Sequence, residues 1–139
     1  MDPVRPFVVW KPTFATGIHS VDHEHQRFLE IMNELHTAVV NGTTHRQAGE
    51  TLEKLLDYGS WHFQQEEELM AATGFPRSAE HQAEHAGFLK RLEVLRAEGS
   101  CSLGMLSFMS GWVVQHILGA DQDLGYWNAG LAPQRSTVG

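Results

Sequence analysis

Seven residues of this 139-residue chain have the types and spacing to hold metal: His25, His62, Glu66, His81, His85, His116 and Asp121. His62/Glu66 and His81/His85 stand four apart, so on a helix each pair lies about one turn apart and both side chains can reach one ion. Imidazole nitrogen combined with carboxylate oxygen suits borderline metals, iron among them, rather than magnesium or calcium. A lone pair at this spacing says little, because nine histidines produce such matches by chance about once in a chain of this length. The ordered set, spread over four segments, is far more specific.

These residues interrupt apolar stripes, and that locates them. His25 precedes Phe28 and Leu29 by three and four residues. His62 and Glu66 fall in the series 52, 55, 59, 62, 66, 69, and His81 and His85 continue the stripe of Phe88, Leu92 and Leu95. His116 lies three and four residues beyond Val113 and Trp112. All therefore face a core. Burying them without partners would cost roughly 1–3 kcal/mol for each group, and a shared metal centre supplies the partners. Asp121 is the misfit. Five residues after His116, at about 100° per residue, a regular helix turns it some 140° away. Gly119 between them suits a looser, π-like turn that brings it back. Of the other histidines, His19, His23, His36 and His45 stand outside the pattern and read as solvated.

The positioning elements follow from the same periodicity. A first helix is expected from about Asp22, as N-cap, to Val40, ending at Asn41-Gly42. A second begins after Thr43-Thr44 and stops before Gly74-Phe75-Pro76; a third spans Ser78 to Glu98. The fourth starts near Ser102 and passes through His116 towards Asp121. It is apolar nearly all round, so it is expected to be the most buried. Connections of a few residues favour an all-α, antiparallel up-down-up-down four-helix bundle. The predicted organisation is one domain over 1–139: an irregular arm over 1–17, the bundle over 18–124 and a tail over 125–139.

Composition narrows the function classes. The chain is 42% hydrophobic and 19% charged, as in globular proteins. A net charge of −7 provides no basic field for nucleic acid. No uninterrupted apolar run of membrane-spanning length is seen, so no membrane insertion is expected. Pro3, Pro6 and Pro12 break any leader-like start, which points to the cytoplasm. The single cysteine, Cys101, reads as structural.

The sequence resembles the hemerythrin family, within it the stand-alone bacterial members. The resemblance is carried by Val9-Trp10, Gly17-Ile18, Val21-Asp22-His23-Glu24-His25, His62-Phe-Gln-Gln-Glu66-Glu-Glu-Leu-Met70, His81-Gln-Ala-Glu-His85 and His116-Ile-Leu-Gly-Ala-Asp121, across roughly residues 9 to 127. It implies two iron ions per chain, cycling between Fe2+ and Fe3+ with a bridging oxo or hydroxo group. His81, His85 and His116 would bind one iron, and His25 and His62 the other. Glu66 and Asp121 would bridge both. The iron with two histidines then keeps one open position, for O2. The implied role is reversible O2 binding for carriage, storage or delivery, by a monomer whose O2-consuming recipient is not identified.

Phe28, Phe63, Trp112, Val113 and Ile117 flank the ligand positions and are expected to wall the O2 pocket. Core packing alone also accounts for them. Three other readings remain: an O2- or redox-sensing module, a di-iron oxidase or peroxidase-like enzyme, and iron or zinc storage or handling. Carboxylate-rich di-iron oxygenases use paired Glu-x-x-His motifs, and this chain contains none.

Overall fold

The computed structural model describes residues 7–42, 45–99 and 103–130, with the side chain of His45 left aside. Among the described residues all regular structure is helical. A 3₁₀ turn at Pro12–Phe14 precedes α1 (His19–Val40), α2 (His45–Thr73), α3 (Ser78–Glu98) and α4 (Leu103–His116). A π-helical segment, Ile117–Asp121, leads without interruption into α5 (Gln122–Asn128). The expectations about Cys101, Thr43, Thr44, Ser102, Pro3, Pro6 and residues 131–139 lie outside the described residues.

The helix ends sit where the breakers are. Gly42, Gly74 and Gly99 adopt left-handed φ of 64°, 67° and 70°, which a side chain with Cβ disfavours. Gly99 N–H donates to Leu95 O and Arg96 O, closing α3. α1 starts at His19, a turn earlier than expected, with Asp22 inside the first turn instead of at the N-cap. The reason is that the Asp22 carboxylate serves the arm. It accepts from Thr16 N at 2.7 Å, Thr16 Oγ1 at 2.8 Å and Gly17 N at 3.3 Å.

The stripes read from the sequence form the core. Phe28, Leu29, Met32 and Leu35 of α1 meet Leu52, Leu55, Leu56 and Phe63 of α2, Phe88, Leu92 and Leu95 of α3, and Leu106, Met109, Val113 and Ile117. The arm packs onto this body: Asn33 accepts from Val8 N at 2.9 Å and donates to Val8 O at 2.7 Å. His36 differs from its solvated reading, being half-buried and stacked on Phe7 with ring centroids 4.4 Å apart. His19 and His23 are exposed as expected.

Two expectations about the C-terminal part need correction. α4 is not buried all round: Leu103 and Phe108 are 53% and 43% exposed, and α4 packs less closely on α1 and α3 than α2 does. Helix also continues past Gly125 to Asn128, where the tail was expected to begin. The continuous stretch Leu103–Asn128 is in fact long and apolar enough to span a bilayer by length and composition. It also carries buried His116 and Asp121 among polar side chains from the other three helices, as the core helix of a bundle does.

Tertiary contacts hold α5 in place. Arg77 forms a bidentate pair with Asp123, Trp127 Nε1 donates to Thr73 O at 3.1 Å, and Gln122 Nε2 donates to Thr13 O at 2.7 Å. Gly125 is buried against the arm, and a Cβ there would lie 2.1 Å from Thr16 O. Gly125→Ala is therefore expected to destabilise the fold by roughly 1–3 kcal/mol through overpacking. At Gly87, where a Cβ meets open space, alanine should stabilise by up to about 1 kcal/mol. Urea unfolding midpoints of the two variants check both; a Gly125→Ala midpoint equal to the parent's would refute the close approach.

Candidate metal centre

Seven polar side chains sit in the otherwise apolar interior at one level of the bundle. His25, His62, Glu66, His81, His85, His116 and Asp121 are each 4% exposed or less. Every ligand position expected from the sequence is thus brought together. α1 supplies His25, α2 supplies His62 and Glu66, and α3 supplies His81 and His85. His116 ends α4, and Asp121 closes the π segment. A π-helix bonds i to i+5, so a residue five positions on returns to the same face. That resolves the 116/121 misfit, and does so without a residue in the left-handed region there.

The donor atoms fall into two groups that share Glu66: Glu66 with His81, His85, His116 and Asp121, and Glu66 with His25 and His62. Within each group the donor atoms lie within 4.8 Å of one another. The two carboxylates divide their oxygens between the groups. Glu66 Oε2 lies 2.9 Å from His62 Nε2 and 3.3 Å from His25 Nε2, while Oε1 lies 3.1 Å from His85 Nε2 and 3.2 Å from His81 Nε2. Asp121 Oδ2 is 2.9 Å from His25 Nε2, and Oδ1 is 2.9 Å from His81 Nε2 and 3.2 Å from His116 Nε2.

These distances are short, yet His62 Nε2 and both Asp121 oxygens have no hydrogen bond of acceptable direction. A misaligned contact contributes little as a hydrogen bond, however short. His25 Nε2 and His81 Nε2 meet Glu66 oxygens in hydrogen-bonding geometry, whereas His62 Nε2 and the Asp121 oxygens converge without aiming at a partner, as ligands around a cation do. The donor set, five nitrogens and two carboxylates, fits iron.

Three further residues escaped the sequence reading. Glu24 Oε1 accepts from His62 Nδ1 at 2.7 Å, Glu67 Oε2 from His85 Nδ1 at 2.9 Å, and Glu84 Oε1 from His116 Nδ1 at 2.8 Å. Each holds the ring proton on Nδ1 and leaves the Nε2 lone pair facing the centre. The available signal was adjacency: Glu24, Glu67 and Glu84 each neighbour a ligand position in the chain. The Nδ1 atoms of His25 and His81 are buried with no protein partner among the described residues.

Rings line the flanks. Phe28 lies 6.3 Å from His62, edge to face. Phe63 stacks on His85 at 3.9 Å and is 5.7 Å from His62. Trp112 stacks on His116 at 4.6 Å. Val113 and Ile117 are buried.

With this geometry in hand, comparisons with known proteins are informative. The sequence model for the hemerythrin HHE cation binding domain matches residues 16–127. Bacteriohemerythrin from Stenotrophomonas maltophilia is 34% identical over 119 residues, covering 83% of this chain and 77% of that protein. Bacteriohemerythrin from Pseudomonas aeruginosa is 33% identical over 126 residues, covering 88% and 80%. A crystal structure of wild-type hemerythrin superposes with a TM-score of 0.82 at 26% identity, covering 86% of this chain and 95% of that one.

Charge at the centre sets a pH dependence for metal-free protein. Burial opposes protonation of His25, His81 and His116, but Asp121 and Glu66 outweigh it and push these rings up to about 10, about 9 and about 10. Burial likewise opposes ionisation of Glu66 and Asp121, yet the surrounding histidines hold both well below the usual carboxylate range. The raised histidines stabilise the fold fully below their unfolded value of about 6.5, and that contribution is lost as pH climbs through about 9–10. The lowered carboxylates stabilise above about pH 4 and lose their contribution in acid. Metal-free protein is thus expected to lose stability steadily from about pH 6.5 to 10, read as the urea midpoint. Iron-loaded protein should not, since a cation takes the place of the protons. A flat profile without metal would contradict the charge arrangement.

Proposed function

The chain belongs to the hemerythrin family, whose members bind O2 at non-haem iron, and we propose that it binds O2 reversibly at a pair of irons. His81, His85 and His116 would hold one iron, His25 and His62 the other, and Glu66 and Asp121 would span both. The observation that carries this reading is the division of each carboxylate's oxygens between the two donor groups. A single-metal site has no use for two such carboxylates.

When bound, the irons supply the electrons that hold O2 and take them back on release. The protein's part is to keep one position free and the surroundings dry. The two-histidine group offers fewer protein donors than the three-histidine group, so the free position belongs to it. Phe28, Phe63, Val113 and Ile117 would wall that position against water. Trp112 lies against His116, on the three-histidine side. An enzyme that activates O2 fits less well, because five neutral imidazoles replace the glutamate-rich shell of such sites. Carriage is favoured over catalysis on that ground.

Two irons per chain are expected by metal analysis of iron-replete protein; saturation at one, or with zinc alone, would sink the dinuclear reading. Glu66→Ala and Asp121→Ala should each lower iron retention about 10-fold or more, whereas His36→Gln should not change it. Val113→Thr, nearly isosteric but polar, should keep the iron and shorten the life of the oxygenated state several-fold. The test of function is to expose anaerobic ferrous protein to O2, record the visible charge-transfer band, and purge with inert gas. Return of the colourless state is expected. Irreversible oxidation with rapid turnover of an added reductant or substrate would assign an enzyme instead.

A further inference from the structure

Between α3 and α4 lies a groove of about 320 Å³ that the proposed O2 chemistry does not use. Phe88 and Trp112, their rings stacked at 4.3 Å and 18°, line it. Val94 and Phe108, 46% and 43% exposed, line it as well. Two cations complete the lining, Lys90 and Arg91, and the Arg91 guanidinium sits 4.5 Å over the Phe108 ring. Among the described residues neither cation has a carboxylate partner, in a chain whose net charge is −7. Trp112 both lines this groove and stacks on His116, at 4.6 Å and 10°. Aromatic contact therefore leads from a solvent-facing cavity to a side chain of the metal centre.

We propose that this groove docks a planar, anionic, redox-active ring compound, and that its electrons reach the centre through Trp112 and His116. The inference rests on the reading that places iron on His116. The exposed Phe108 and half-buried Trp112 offer apolar ring contact to a fused ring system, and Lys90 and Arg91, without a carboxylate partner among the described residues, select a phosphate or carboxylate on it. Position argues for electrons over O2. His116 belongs to the three-histidine group, which keeps no free position, so nothing needs to bind there. Electron transfer through stacked rings needs no open position. The exchange balances with a flavin-type hydroquinone anion: it gives up two electrons and one proton, each of two ferric ions takes one electron, and the proton passes to solvent. Such a step would restore ferrous protein after O2 has left it oxidised.

Flavin mononucleotide is the probe, used with intact protein. Its fluorescence should be quenched saturably with or without iron, and riboflavin, which lacks the phosphate, should bind several-fold more weakly. Gly87 lines the groove, and a Cβ there meets open space, so Gly87→Trp fills the cavity without disturbing the fold. This variant should keep its iron and its O2 binding, lose the quenching, and be reduced by anaerobic flavin hydroquinone roughly 10-fold more slowly from the ferric state. Absence of saturable quenching in the parent, or equal quenching in Gly87→Trp, overturns the docking site. Quenching lost but reduction unchanged overturns the electron route. Failure to load two irons would instead strike the functional reading, and the quenching assay would still decide the groove.

Discussion

Two carboxylates placed between five imidazoles in an apolar interior are the constraint on which the rest of this molecule depends. Ionised groups so deep are tolerated only when every lone pair has a cation or a proton to face. Glu66 and Asp121 are 0% and 1% exposed, and among the described residues no backbone group relieves them. They can be satisfied only by something at the bundle's centre, metal or, failing that, imidazolium protons. Each helix must then deliver its side chains to one level. The fourth helix does so by changing its winding: the π segment costs regular hydrogen bonding so that His116 and Asp121 can face the same point. Helix does not stop there, because α5 must anchor the far side of that segment. Arg77–Asp123, Trp127–Thr73 and the contact of Gly125 on Thr16 together perform that anchoring.

Around this centre runs a second tier with a direction. Glu24 of α1 grips His62 of α2, Glu67 of α2 grips His85 of α3, and Glu84 of α3 grips His116 of α4. Each carboxylate is one residue from a ligand position on its own helix, which rotates it by about 100° onto the flank that meets the next helix. A neighbour in sequence thus becomes a support for the neighbouring helix in space. The arrangement couples the ring orientation of each metal-facing histidine to helix–helix packing. This outer tier is more exposed than the centre, 15% for the Glu24 side chain and 47% for that of Glu84.

What the sequence revealed and what it hid divide along the same physical line. Stripe interruptions reveal a residue's own face, and that was enough for six of the donor positions and for the four helices, whereas Asp121 needed the family resemblance. The 116/121 spacing revealed the π turn, because a polar residue on the wrong face of an otherwise apolar helix demands a change of winding. Glu24, Glu67 and Glu84 stayed hidden, since their partners are on other helices and periodicity within one helix says nothing of them. Gly125 looked like a breaker; in the fold it is a point of close approach, which only tertiary structure shows. The fourth helix misled for a related reason. An apolar surface on every side implies burial on every side only if neighbours close around it, and α4 packs less closely on α1 and α3 than α2 does.

That looser packing is where the structure and the proposed chemistry meet. A centre that binds a gas reversibly needs a dry wall next to its free position and a separate way to recover when it is oxidised. Those needs conflict if they share one face, because an entry wide enough for a reductant also admits water. Phe28 approaches His62, Phe63 reaches both donor groups, 5.7 Å from His62 and stacked on His85, and Trp112 stacks on His116 and opens to the α3/α4 groove. Ring contacts, with no solvent channel required, connect that groove to the site. On this arrangement the exposed apolar residues of α4 are not a packing defect. Phe108 among them lines the groove that, on the proposal above, would give electrons a path to the centre through Trp112.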